Sequence, residues 1–400
     1  RRTKMTRSRI LTIFSAAAIF LLCTLIPAYL NAEEVTDSDF GYSLDIPEGF
    51  NVAGYTPDGM SYHFKHSFVP VDLVLKLYEK DVFPDSNSAL KGALKKLNAD
   101  YEGTDTFTWD NTDCSISNFS SNAIAAEGVS GWAVAATLPD NGANLVLLCY
   151  ADSSKAKNCE QFILSTLNSL CISKKSRFSP GIITSYAYQQ GEKNKIRLNI
   201  GGRQIITETD SSDSEANNFV IECEFEILKL YANHEKWKEA WIRYYRAIFR
   251  DSYSRLSKAA FDINSAIYQA AVKRNPESPE NAMNEMLLNW VQSFEYRRGD
   301  KKSTDFTSVI DALSGTGSDC DSRSMLMCIL LKQNGINATL FISREYSHAV
   351  YGAQLNAEGA KINVNGKDFL LGETTVKNLK PGLIAQEQND TEKWIPVTFE

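Results

Sequence analysis

The sequence predicts an α+β chain: an antiparallel-sheet unit followed by a helical unit that closes with a second sheet. Three observations carry this reading. Short alternating strands, broken by Pro, Gly and Asn turn signals, fill the chain up to Ile172. Apolar and aromatic residues then recur every three or four positions from Trp237 to Leu330. Strand-like alternation returns after Gly335. With 400 residues, 43% hydrophobic and 23% charged, the chain has the composition of a globular protein of about two or three domains.

The first 32 residues stand apart from this globular part. Arg1, Arg2, Lys4, Arg7 and Arg9 precede an uncharged run, Ile10–Ile26, that Pro27 ends before the small residues Ala28 and Ala32. Basic, apolar and small segments in that order form an export signal, so a periplasmic or secreted protein is expected. The alternative is an uncleaved anchor, and a membrane association is expected only in that case. The 42 basic and 49 acidic residues show no long basic run, which leaves nucleic acid without electrostatic support as a partner.

Residues 38–172 read as one α+β domain. Tyr42–Ile46 alternates as a strand up to the turn Pro47-Glu48-Gly49, and Val71–Tyr78 forms a second strand. Ser86–Asn98 carries Leu90, Ala93, Leu94 and Leu97 on one helical face. Trp132–Leu138 and Asn144–Tyr150 flank Pro139-Asp-Asn-Gly142 as a hairpin, and a helix over Lys155–Leu170 closes the unit. The opening "FGYSLDIPEGF" and this order of strands and helices resemble PsbP-like domains. That resemblance implies an α/β sandwich that binds or scaffolds. His63 and His66 are expected to be surface histidines.

Residues 173–232 read as a connection with a hairpin, its strands Lys195–Glu208 and Phe219–Tyr231 separated by a solvated loop at Asp210–Glu215. The last domain spans 233–400. Aromatic stripes such as Trp237, Trp241, Tyr244, Tyr245 and Ile248 are assigned to packing. Ser278-Pro279-Glu280 starts a helix that carries Met283, Leu287, Trp290 and Phe294.

Chemistry concentrates in Gly317–Gly335. Asp319 or Asp321 can cap a helix that Gly335 ends, which puts Cys320 at the helix N-terminus, where N–H groups favour a thiolate and can donate to an oxyanion. A thiol nucleophile needs an imidazole, and His348 is the one downstream, at the start of a strand. The imidazole needs an acceptor; Glu373 ends the following strand, with Asp368 as its rival. Cys328 is expected to be a buried, inert thiol. Gln292 and Tyr296, on the preceding helix, are expected to pack or to lie at the surface rather than to serve an oxyanion. Disulfides are permitted in an exported chain, a bridge from Cys320 to Cys223 among them. Only four histidines occur and no CxxC pair, so neither a metal nor a cofactor is expected.

"GSDCDSRSMLMCILLKQNGI", "SHAVYG" and "FLLGETT", in this order, resemble the transglutaminase-like, papain-related superfamily, and "WVQSFEYRRGD" resembles the helix and tyrosine that lead to its active loop. The resemblance covers about residues 255–400. It implies Cys320 as nucleophile, His348 as base and acid, and Glu373 as the orienting carboxylate. The acid is Glu where Asp is usual, and no tryptophan follows the His-Ala pair. The expected function is an exported cysteine peptidase or amidase that forms a thioester with a protein or peptide substrate, such as one of the cell envelope. A transamidating enzyme and a non-catalytic binding protein of the same fold are the alternatives.

Overall fold

A computed structural model describes residues 12–13, 34–298, 304–315 and 317–399. The export segment expected over 1–32 lies outside these residues, apart from Thr12–Ile13. The chain divides into two compact units: Arg1–Arg177 with Gly181–Tyr186 and Glu226–Arg243, and Phe178–Pro180 with Ala187–Phe225 and Tyr244–Glu400. No helix among the described residues is long and apolar enough to cross a membrane.

The first unit is rich in sheet. Strands β1 (Thr12–Ile13), β2 (Val35–Asp37) and β3 (Tyr42–Leu44) form a small sheet. Its fourth strand, β11 (Leu170–Cys171), pairs with β3. A seven-stranded antiparallel sheet is built from β4 (Phe50–Tyr55), β5 (Ser61–His66), β6 (Asp72–Tyr78), β7 (Asp105–Trp109), β8 (Thr112–Ser121), β9 (Val129–Thr137) and β10 (Asn144–Asp152), in the order 4-5-6-10-9-8-7. Helix α1 (Ser86–Lys96), capped by Asp85 on the Ser88 amide, buries Leu90 and Leu94 against Val146, Leu148 and Tyr150 of β10. Strand residues alternate between faces, so Leu145, Leu147 and Cys149 point the other way, where α2 (Glu160–Asn168) packs on β9 and β10. Both faces are covered, which explains why β10 reads as one apolar run.

His66 departs from the expected surface position. It is buried, and its Nε2 lies 2.8 Å from the Glu48 carbonyl and 3.2 Å from the Tyr231 hydroxyl. Burial pushes the ring down to about 4, so it is neutral at physiological pH. The sequence "HFKH" conceals this because His66 ends a strand whose inward positions are not marked by aliphatic residues. His63 is part-exposed and pairs with Asp72 at 2.6 Å.

Helix α3 (Ile182–Ala187) belongs, up to Tyr186, to the first unit, and the second carries a two-stranded ribbon, β12 (Lys193–Ile200) with β13 (Arg203–Asp210). Its turn uses Gly201 and Gly202, both at positive φ. The strand expected over Phe219–Tyr231 is instead part of a helix, α4 (Asp213–Leu230), which also absorbs the end of the expected Asp210–Glu215 loop. Ile221-Glu-Cys-Glu-Phe-Glu-Ile227 alternates like a strand. However, Val220, Ile221, Cys223, Glu224 and Ile227 are the buried positions from 220 to 227, and their spacing is helical. Tertiary burial of Asn217, which donates to Asp251 at 3.0 Å and Ser252 at 2.9 Å, fixes the helical choice.

Helices α5 (Trp237–Arg255), α6 (Ser257–Arg274), α7 (Pro279–Gln292) and α8 (Val309–Leu313) precede α9 (Cys320–Gln333). Residues Ser322–Leu331 of α9 are all buried rather than buried on one face. It packs against α6, α7, α8 and two strands of the terminal sheet. That sheet contains β14 (Ala338–Ser343), β15 (His348–Ala353), β16 (Lys361–Val364), β17 (Lys367–Gly372) and β18 (Ile395–Val397), in the order 16-17-15-14-18.

Candidate active site

The loop before α9 is pinned from both sides. Ser318 donates to the Glu295 carbonyl at 3.0 Å and accepts from the Arg297 amide at 3.1 Å. A Cβ at Gly317 would meet Arg297 Cβ at 2.7 Å, so glycine permits this approach. Asp319 is the N-cap, accepting from the Ser322 amide at 2.9 Å. This settles which of the two aspartates caps the helix and leaves Asp321 for another task.

Cys320 opens α9 and is only 2% exposed. Its sulfur donates to Asp321 Oδ1 at 3.1 Å and receives the Ala349 amide. Asp321 Oδ2 accepts the Tyr245 hydroxyl. Burial, and then the Asp321 and Asp319 carboxylates, push the thiol well above its ordinary range, while the Ala349 N–H acts the other way. The helix terminus that predicts a thiolate is therefore outweighed by burial first and by two neighbouring acids second. At rest the sulfur keeps its proton.

His348 follows the turn Arg344–Ser347 and faces Ser343 at the end of the β14–β15 pairing. Its Nε2 lies 2.6 Å from Glu373 Oε2. The other oxygen, Oε1, accepts the Thr375 amide at 2.7 Å and hydroxyl at 2.6 Å. Burial raises the Glu373 carboxyl, but the His348 and Thr375 hydrogen bonds outweigh it and hold the group below its usual value. With Nε2 committed to the carboxylate, Nδ1 is the nitrogen left to take a proton. The rival Asp368 instead accepts from Asn363 at 2.6 Å on an exposed turn.

The three residues thus fall into two contacts that meet at one place. His348 and Glu373 touch directly. The residue after His348 gives its amide to the Cys320 sulfur, which places the start of β15 against the start of α9. Trp394, beside β18, brings its ring to 6.4 Å from the His348 ring.

Sequence reasoning overlooked several residues here. Arg323 is 1% exposed and donates to Ser318 Oγ at 3.1 Å, the Phe294 carbonyl at 2.9 Å and the Thr374 carbonyl at 3.3 Å. It therefore ties the loop before Cys320 to the segment bearing Glu373. A lone arginine among Met, Leu and Ile was the signal that could have revealed it. Asp321 and Tyr245 had no such signal, because their partnership joins α9 to α5. Gln292 packs as expected, donating to the Glu373 carbonyl at 2.7 Å. Tyr296 is part-exposed, with the Arg323 guanidinium 5.4 Å from its ring centre. The seven cysteines among the described residues, Cys114, Cys149, Cys159, Cys171, Cys223, Cys320 and Cys328, are free and buried, so no bridge joins Cys320 to Cys223.

No family model matches the chain, and no curated protein matches it. Among solved structures, the Ran-binding protein Mog1p of Saccharomyces cerevisiae is 14% identical, over 36% of this chain and 97% of that one, with a TM-score of 0.28. Cyanobacterial PsbP from Synechocystis is 12% identical, over 38% of this chain and 98% of that one, with a TM-score of 0.29. A Bacteroides thetaiotaomicron protein is 8% identical, over 92% of this chain and 96% of that one, with a TM-score of 0.21. The chain is mixed α and β with a sheet-rich N-terminal part, and its neighbours include Mog1 and PsbP proteins.

Proposed function

We propose that the chain is an exported cysteine peptidase or amidase of the transglutaminase-like kind, with a PsbP-like binding module as its N-terminal part. One observation supports the catalytic reading above the others. A hydrogen-bonded His348–Glu373 pair leads directly into the amide that meets the Cys320 sulfur.

In this reading the thiol gives its proton to His348 Nδ1 as it attacks, because no preformed thiolate is held at rest. The new S–C bond forms while the carbonyl π pair moves onto oxygen. The pair then returns, the C–N bond breaks, and His348 protonates the departing amine. Water repeats the sequence on the thioester; an amine in its place would give transamidation. Glu373 keeps Nε2 protonated and steadies the imidazolium.

The test is labelling with a thiol-directed activity probe in wild type, Cys320→Ala and His348→Ala, followed by a search for cleaved or cross-linked envelope proteins. Labelling that depends on both residues is the expected result. Labelling indifferent to His348 would leave the binding reading. N-terminal sequencing of the mature chain tests export.

A further inference from the structure

The reaction proposed above places negative charge on two atoms, the Cys320 sulfur and then the substrate oxygen. The surroundings are poorly suited to receive it. Asp319 and Glu373 are buried nearby, and Asp321 accepts the thiol proton itself. A cation that faces the sulfur would add to the N–H groups already there and offset these acids.

Arg323 does not meet this need, because its guanidinium is buried and committed to Ser318, Phe294 and Thr374. Arg298 does. It is exposed, its Nη2 donates to the Ser347 carbonyl at 3.1 Å, and the same guanidinium reaches the Cys320 sulfur. Ser347 precedes His348, so this one side chain touches both halves of the site. A guanidinium carries five N–H groups in a planar fork, which allows it to hold the Ser347 carbonyl and still donate to a second oxygen or sulfur. One of its donors is shared with the Tyr296 hydroxyl, which also lies close to Cys320.

We propose that Arg298 is the electrophilic catalytic residue: its guanidinium receives the negative charge developing on the Cys320 sulfur and then on the substrate carbonyl oxygen. This inference rests on Cys320 being the nucleophile. No further reactant is needed, since the proton lost by sulfur passes to His348 and from there to the departing amine.

The test uses the full chain and two small alkylating reagents, neutral iodoacetamide and anionic iodoacetate. Arg298 beside the sulfur favours the anion, so the iodoacetate-to-iodoacetamide rate ratio at Cys320 should fall about fivefold to tenfold in Arg298→Met. Arg298→Lys should retain most of it. A role limited to holding the Ser347 turn would slow both reagents alike and leave the ratio unchanged. An unchanged ratio, or a lysine that fails to restore it, overturns the proposal. Native Cys320 inert to both reagents, yet labelled once unfolded, would instead overturn the nucleophile reading beneath it.

Discussion

Gln292, in the last turn of α7, donates through Nε2 to the main-chain carbonyl of Glu373 at 2.7 Å and to that of Leu379 at 2.9 Å. The carboxylate that orients His348 is thereby fixed by a helix side chain more than 80 residues earlier in the chain. The next two residues, Thr374 through Arg323 and Thr375 through its own amide, are held as well.

Removing Gln292 should therefore cost stability as well as alignment. Gln292→Leu takes this donor from the buried Glu373 carbonyl and the part-buried Leu379 carbonyl, and removes the unpartnered Gln292 Oε1, for a net loss of about 1–3 kcal/mol. Urea unfolding of the variant measures it. A loss below 1 kcal/mol would mean that the segment is fixed by other contacts.

Asp321 restrains the sulfur. Asp321→Asn removes the charge that opposes a thiolate and the strongest acceptor for its proton, so Cys320 should react with iodoacetamide about tenfold faster at neutral pH. Stopped alkylation followed by mass spectrometry gives the rate. A slower variant would show that Asp321 assists the attack instead.

Glu373→Gln keeps the shape of the side chain and loses its charge. The imidazolium is then unsupported, and alkylation of Cys320 at pH 7 should slow about 10–100-fold. Equal rates would detach the carboxylate from the reaction.

Asp319 should impose a pH slope on stability. Burial first, and the Asp321 charge second, raise its carboxyl above the ordinary range. The folded chain then binds more protons than the unfolded one, so stability falls as pH rises from about 4 towards the folded value. Glu373, held low, acts in the opposite sense, and its contribution disappears as pH falls through its own depressed range. Asp319→Asn keeps a capping side chain and should flatten the loss between pH 5 and pH 8 in thermal melts. A slope equal to wild type would place the pH dependence elsewhere.

Burial raises the Cys320 thiol as it raises the others, so native labelling of Cys320 above the remaining cysteines would require the help of His348. Cys114 is pushed up to about 12 by burial, and Cys149 and Cys328 are raised further for the same reason. Under native conditions these three should resist alkylation and become reactive only after unfolding. Early modification of Cys328 would show that α9 opens readily.

Much of this protein was legible from spacing alone. Alternation and turn residues mark β6, β9 and β10, the apolar stripe of Leu90, Ala93 and Leu94 marks α1, and Gly335 marks the end of α9. Cys320, His348 and Glu373 were nameable because each sits at the end of an element, where local sequence signals are strongest. Position at an element's end is a property of the chain itself. The segment Ile221–Ile227 was misread because alternation is also compatible with a helix when a glutamate is buried. Only tertiary contact with Asp251 and Ser252 decides between the two. The same holds for the protonation of Cys320, the cap at Asp319, and the roles of Asp321, Tyr245, Arg298 and Arg323. Each depends on which charges end up within a few ångströms of one another after distant segments pack, and Coulomb energy follows spatial distance rather than separation along the sequence.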